Sequence, residues 1–371
     1  MRGKNTGTSL IEHAGVLDPP TMSSLKGSGY AAEAFATGPV AFPSRSHFVM
    51  ACGNALRFIP TERDGSDLDD SGRQGETIEW GQGASIGALD ASPAHGIVAY
   101  GERQRTLKDP RVFIYNANSK VGIKTLSCEG ELGIVALALC RDPKISRLVV
   151  LGEIPGHNIS VWDWKSGSMV AKVSAQGSRA RSVSFDPLDC NMIASVGSKL
   201  ELWTLSSENN GETQIVADPA TNIDKEEREL TAHCWAPGKT LFLASDSGEI
   251  CHINARTGCK VYGTGWTQVS IGPIGALALS SKHVLVGAAH GSHGQVHFLS
   301  YPKDASTKEH AAYTVERSTS KVDGPITCLS VSPDWETLVL ATAQELNLLA
   351  LLLSLRPSKN TNAEGAVYRG P

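Results

Sequence analysis

The sequence predicts an all-β chain folded as a seven-bladed β-propeller, and three observations predict it. Apolar runs that end in Pro, or in a residue standing for it, recur every 44 to 52 residues, at 87–93, 135–143, 182–187, 232–237, 275–281 and 327–333. A fixed period of that size, in units made of short strands, marks a propeller rather than an α/β catalytic fold. Within the strands, as in Ile159-Ser160-Val161-Trp162-Asp163-Trp164 and Leu200-Glu201-Leu202-Trp203, residues of opposite parity face opposite sides of a pleat. Finally, 371 residues accommodate one ring of units of about 40–45 residues each. The 37 glycines supply the tight connections such a ring needs.

The elements follow in order. Residues 1–34 lack periodicity and read as a flexible N-terminal arm; 35–355 read as the propeller and 356–371 as a disordered tail. A strand near Val40-Ala41-Phe42 is expected to help close the ring. The first blade holds 47–52, 54–59 and 76–80, interrupted by the acidic loop 64–70. The second holds 96–100 and 111–116. The third holds 147–152, 158–164 and 169–173, the last two joined by the hairpin turn Lys165-Ser166-Gly167-Ser168. Blade four holds 191–197 and 199–205, blade five 241–245 and 249–254, blade six 283–287 and 295–299, and blade seven 337–341 and 345–353. Several inner strands are apolar nearly throughout. Both faces of each sheet must therefore pack between neighbours, so the core closes only when the blades stack in a ring.

Composition narrows the function classes. A net charge of −4 lacks the basic footprint of a nucleic-acid binder. No apolar run of 18 residues predicts a transmembrane helix, and no apolar stretch follows Met1-Arg2-Gly3-Lys4 to predict a secretory leader. Eight cysteines are scattered along the chain, several on expected core strands. They read as reduced, buried thiols of an intracellular protein, which leaves the sequon Asn158-Ile159-Ser160 unused.

Trp162-Asp163 at the end of a third strand, with Trp203-Thr204 one blade later, resembles the WD repeat, so the expected architecture is a WD40-like propeller. The match is degenerate: Asn116, Asp163 and Asn254 follow Tyr115, Trp162 and Ile253, and the usual Gly-His pair is missing from most blades. Further segments resemble the N-terminal propeller of the cilia- and flagella-associated WD-repeat proteins that tether inner dynein arm f. These are Ala51-Cys52-Gly53-Asn54, Val98-Ala99-Tyr100-Gly101-Glu102 with Pro110-Arg111-Val112-Phe113-Ile114-Tyr115, and 158–164 with Ser184-Phe185-Asp186-Pro187. The resemblance is best over residues 45–255. It implies a non-enzymatic scaffold of the ciliary or flagellar axoneme, in the cytoplasm and cytoskeleton, supporting ciliary beating. Its implied partners are other axonemal proteins, a paired ciliary WD-repeat subunit, dynein arm components and microtubules, with no nucleic acid and no membrane. Members of that group carry a second propeller and coiled coils after this region, where this sequence has a Gly/Asn-rich tail.

His290, His293 and His297 have a spacing a metal could use, but no carboxylate or Cys accompanies them, and a solvated loop with one packed His accounts for them. Cys251 and His252 fall on opposite faces of a strand, and with Cys259 they form no ligand set. Gly81-Gln82-Gly83-Ala84-Ser85-Ile86-Gly87 lacks the following helix that a phosphate-cradling loop needs, so it reads as a blade connection. No spacing nominates a catalytic triad; no catalytic residue, metal or cofactor is expected. The loop 103–111 joins the second and third strands of blade two and shares a rim with 178–181. Arg103, Arg105, Lys108, Arg179 and Arg181 are therefore the candidate docking rim for an acidic partner, since Arg pairs carboxylates bidentately. Glu129, Glu131 and Glu153 are expected on the same rim, where they would neutralise it.

Two other functions compete with the scaffold. A general WD40 adaptor, such as a substrate receptor of a cullin ubiquitin ligase, is suggested by Trp162-Asp163-Trp164-Lys165, although Lys stands where such receptors have Arg. An esterase-type propeller would need carboxylates and His converging over the channel, and no blade-periodic set of them is present.

Overall fold

The computed structural model describes residues 23–26, 40–52, 54–61, 76–79, 85–103, 109–177, 179–207, 212–218, 228–257, 265–300, 313–344 and 347–354. Among these there are strands and turns and no helix. Every sheet is antiparallel, and in six of them four strands follow one another in chain order. The first blade is Val40–Ala41, His47–Cys52, Ala55–Pro60 and Glu76–Glu79; the second is Ser85–Ser92, Ile97–Arg103, Arg111–Asn116 and Gly122–Ser127. The third is Ile134–Leu139, Arg147–Gly152, Asn158–Asp163 and Ser168–Ser174. The fourth is Ser182–Asp186, Asp189–Val196, Leu200–Ser207 and Thr213–Ala217. The fifth is Leu230–Ala236, Thr240–Ser245, Glu249–Asn254 and Thr267–Gln268. The sixth is Ile274–Leu279, His283–His290, His293–Ser300 and Thr314–Ser318, with Val322–Asp323 beside its third strand.

The expectation of seven like blades needs correction. Six blades, not seven, are each made from one consecutive stretch of chain. The remaining strands, Ile326–Val331, Thr337–Gln344 and Asn347–Ser354, are completed by Ser23–Lys26 from the N-terminal segment, with Ser23 opposite Leu352 and Lys26 opposite Leu349. That composite sheet ties the two ends of the chain together, so the N-terminal segment supplies a structural strand at Ser23–Lys26. Val40–Ala41 is the innermost strand of the first blade, and as expected it helps close the ring, with Val40 and Phe42 packed in the seam against the composite sheet. The rest of the 1–34 arm, the acidic loop 64–70 and the tail 356–371 lie outside the described residues.

Alternation within the strands fixes the packing. Val149 and Leu151 point into the cluster shared with blade four, and Leu148 and Val150 into the cluster shared with blade two. The seam that closes the ring joins Phe42, Phe48 and Met50 of the first blade to Cys328, Val339 and Ala341 of the composite sheet. Burying one such Leu or Val side chain is worth about 1.5–3 kcal/mol; here each does so against a neighbouring sheet, not within its own.

Neighbouring sheets approach so closely that glycine is required at defined points. A methyl group on Gly101 would lie 2.5 Å from Ile134 Cβ, and one on Gly287 would lie 2.6 Å from Ile326 Cγ2. Both glycines sit near the end of a second strand and receive the first residue of the next inner strand.

The degenerate WD position acquires a single physical role. Asp163 Oδ1 accepts from Ser146 Oγ at 2.8 Å and from the backbone N–H of Lys165 and Ser166. Burial alone would raise this carboxyl, but these hydrogen bonds hold it below its ordinary value. Asn116 Oδ1 accepts from the N–H of Asn118 and Ser119, and Asn254 Oδ1 from those of Arg256 and Thr257. All three cap the turn after the third strand, a task either Asp or Asn performs. On the preceding strands, Trp203 Nε1 donates to buried Ser195 Oγ at 2.9 Å, and Trp162 Nε1 to Ser160 Oγ at 2.9 Å.

Cysteine use differs in one place from the all-thiol expectation. Cys140 and Cys190 are disulfide-bonded, because the inner ends of blades three and four bring their Cα atoms to 5.8 Å, within disulfide reach. Cys128, Cys234 and Cys328 are free, and burial pushes each thiol up to about 12. Cys259 lies outside the described residues.

Two predictions follow from this packing. Gly287→Ala should lower stability by about 1–3 kcal/mol through overpacking against Ile326. Gly177→Ala, whose nearest neighbour would be Lys199 Nζ at 3.8 Å, should change thermal unfolding little; equal melting of the two variants would refute the close-approach argument. The second concerns His252, which is buried, stacks on Phe242 at 4.0 Å and hydrogen-bonds Tyr313 Oη and Thr240 Oγ1. Burial lowers its imidazole from the ordinary 6.5 to about 4. The unfolded chain therefore binds more protons between those values, so this contribution is complete above pH 6.5 and is lost as pH falls towards 4. The loss is on the order of 3 kcal/mol at most. His252→Gln should flatten the pH dependence of urea midpoints in that window, and an unchanged slope would exclude His252 as its source.

Candidate interaction surfaces

Each inner strand begins at one rim of the ring, termed upper here, which also carries the second-to-third-strand loops and the blade-to-blade connections. Five inner strands carry a β-bulge at the same point: between Ile86 and Ala88, Ile134 and Ala136, Leu230 and Ala232, Ile274 and Ala276, and Ile326 and Cys328. A bulge inserts one residue and re-aims its side chain. The inserted residues are Gly87, Val135, Thr231, Gly275 and Thr327, and all five line a cavity of about 510 Å³ at the upper channel mouth. Its walls are small and apolar, and Arg103 and Arg181 are the two charged residues that line it.

These arginines belong to the rim singled out in the sequence, and the structure shows how they are held. Arg103, the last residue of its strand, donates from Nη2 to Glu153 Oε1 at 2.8 Å across the boundary between blades two and three. Arg181 forms an ion pair with Glu229. Arg179 is exposed in the left-handed region, with φ of 45°. Arg105 and Lys108 lie outside the described residues. The expected neutralising carboxylates are present: Glu153 pairs with Arg103, and buried Glu131 accepts from Asn158 Nδ2 at 2.6 Å and lies 3.7 Å from Lys172 Nζ. Glu129 is exposed on the same rim. Arg111, at the end of the same loop, grips buried Glu102 through Nε at 3.1 Å and Nη2 at 3.0 Å, and this pairing raises its guanidinium further. Arg103 and Arg181 thus each have an ion-pair partner within the chain, because the connections that bring them together also carry acidic residues.

Of the three histidines singled out by spacing, two meet and the side chain of the third turns away. His290 Nε2 and His297 Nε2 face one another at 3.3 Å, and His297 Nδ1 is 2.7 Å from Ser318 Oγ, but His293 turns to Asp323, 3.6 Å away. No group of three or more His, Cys, Asp or Glu able to hold a metal occurs among the described residues. Cys251 and His252 are both buried in strand packing.

Spacing did not reveal two features. His233 bridges the inner strands of blades four and five, with Nε2 at 2.6 Å from Ser184 Oγ and Nδ1 at 3.1 Å from Ser182 Oγ, while Trp235 Nε1 donates to the same Ser184 Oγ. Burial lowers this imidazole to about 4. The lower channel mouth, about 550 Å³, is lined among others by Asp90, Arg141 and Trp335. Arg141 ties blade three to blade two by donating from Nη2 to Asp90 Oδ1 at 2.8 Å and from Nη1 to the Ala91 carbonyl. Trp335 is exposed with φ of 62°, in a turn fixed by Ser332 Oγ donating to Asp334 Oδ1 and by the Trp335 N–H donating to the Ser332 carbonyl. The sequence signal was there: a bulky residue in Pro333-Asp334-Trp335-Glu336, at a turn where the second and fifth blades place Gly96 and Gly238.

No protein-family model matches the chain. It is 25% identical over 170 residues to cilia- and flagella-associated protein 44 of Trypanosoma brucei brucei, covering 45% of this chain and 9% of that protein. It is 24% identical over 206 residues to echinoderm microtubule-associated protein-like 1 of Rattus norvegicus, covering 53% of this chain and 23% of that one. The chain thus spans a minor part of the length of the curated relatives it matches. Among solved structures, a chain of the mitotic checkpoint complex superposes with a TM-score of 0.66 at 15% identity, covering 95% of this chain and 98% of that chain. The RRP9 WD40 repeats superpose with a TM-score of 0.65 at 13% identity, covering 91% and 99%. Radial antiparallel sheets, capped third-strand turns and these superpositions together establish the fold as an all-β propeller of the WD40 kind.

Proposed function

We propose that the chain is a non-enzymatic WD-repeat scaffold of the ciliary or flagellar cytoskeleton, a rigid ring that holds axonemal proteins in place. The observation that carries this reading is its similarity to both a cilia- and flagella-associated protein and a microtubule-associated protein. The geometry agrees with it. The turns are capped by side chains, the blades are tied by Arg103–Glu153 and Arg141–Asp90, and the upper channel mouth has small apolar walls. More finely, the chain acts as part of a tether for an inner dynein arm, beside a paired ciliary WD-repeat subunit, dynein arm components and microtubules. The resemblance of 45–255 to tether proteins supports this.

A tagged chain expressed in a flagellated cell should co-fractionate with axonemes and stay with them through a salt wash that strips peripheral proteins. Loss of the dynein arm f tether should reduce that retention. A chain that remains in the soluble fraction, or that co-purifies with a cullin adaptor instead, would overturn the reading.

A further inference from the structure

The outer wall of blades two and three carries a surface that the channel and its rims do not use. Gly122–Ser127 and Ser168–Ser174 are the last strands of their sheets. On or beside them, Val121 is 62% exposed, Ile123 45% and Met169 50%. The two strands share one surface: a methyl group on Gly167, in the turn before the second strand, would lie 2.7 Å from Lys124 Cε on the first. Segments 117–127 and 164–174 contain Lys120, Lys124, Lys165 and Lys172 and no Asp or Glu. Lys172 turns to the upper rim, where it meets Glu131 and the Glu129 carbonyl. Lys120 reaches over the Phe58 ring of the first blade, which leaves Lys124 and Lys165 beside the exposed apolar side chains.

Lysines on an outer strand ordinarily deter pairing with another chain. Here exposed Val, Ile and Met are interspersed with them, and apolar side chains gathered on a surface mark an interaction site. We propose that this wall docks an acidic, extended segment of a partner protein that carries apolar side chains between its carboxylates. The carboxylates would meet Lys124 and Lys165, and the apolar side chains would cover Val121, Ile123 and Met169. A segment laid along an outer strand presents alternate side chains to the wall, the arrangement used in strand addition. A second copy of this chain does not fit, because a two-fold pairing of this wall sets lysine against lysine. The inference deepens the scaffold reading and rests on it only for the partner's place in the cell.

The test is fluorescence anisotropy on the full chain with three labelled peptides: alternating Glu and Val, alternating Lys and Val, and alternating Glu and Ser. The Glu/Val peptide should bind at least about tenfold more tightly than either of the others. Ile123→Ser with Met169→Ser, both at exposed positions, should weaken it about tenfold, as should Lys124→Glu with Lys165→Glu. Trp335→Ser at the lower mouth should leave it unchanged, and melting curves should confirm that all variants fold. Equal binding of the Glu/Val and Lys/Val peptides, no response to the wall variants, or an equal response to Trp335→Ser would overturn the proposal. A chain that binds the Glu/Val peptide but is not retained on axonemes sinks the ciliary reading alone. A chain retained on axonemes that fails the peptide test sinks the docking wall alone.

Discussion

A four-stranded sheet with apolar residues on both faces cannot be stable by itself, and every other property of this molecule follows from that constraint. Each face must be covered by another sheet whose own second face is then exposed, so the only arrangement without a bare face is a closed ring. The closing contact is therefore as necessary as any other. Phe42, Phe48 and Met50 seal it against Cys328, Val339 and Ala341, and Ser23–Lys26 pairs with the strand at the far end of the chain.

Closeness between sheets shapes the surfaces as well as the core. The glycines that admit Ile134 and Ile326 let the inner strands crowd the axis, and the bulges one residue further on turn Gly87, Val135, Thr231, Gly275 and Thr327 into the upper mouth. The device that permits tight packing thus also lines the cavity. Side-chain ties span the seams at the rims: Arg103 to Glu153 above, and Arg141 to Asp90 below. Such pairs are partly screened by water and add modest stability each, but they fix the relation of one blade to the next. A rigid ring with paired rim charges suits a protein whose work is to hold others.

Charge is distributed differently on the rim and on the wall. Arg103 and Arg181 lie where blade connections converge, and those connections also deliver Glu153 and Glu229 as their ion-pair partners. On the outer strands of blades two and three, lysines and exposed apolar side chains occur together on segments that contain no carboxylate. A surface of that composition suits an oppositely charged partner.

The strand period, the alternation that assigns residues to opposite faces, and the caps at Asn116, Asp163 and Asn254 were all legible in the sequence, because each depends on residues near in the chain. Arg103 and Arg181 do meet at one channel mouth, since strand order alone decides which end of the ring a strand terminus occupies. What the chain could not disclose locally was decided by residues brought together from distant segments: the composite sheet built from both ends, the disulfide between Cys140 and Cys190, the pairing of Arg103 and Arg181, and the divergence of His293 from His290 and His297. A pattern with a period of two specifies which face a side chain takes. Which partner meets that face depends on how neighbouring sheets twist and approach, and that is settled only when the ring closes.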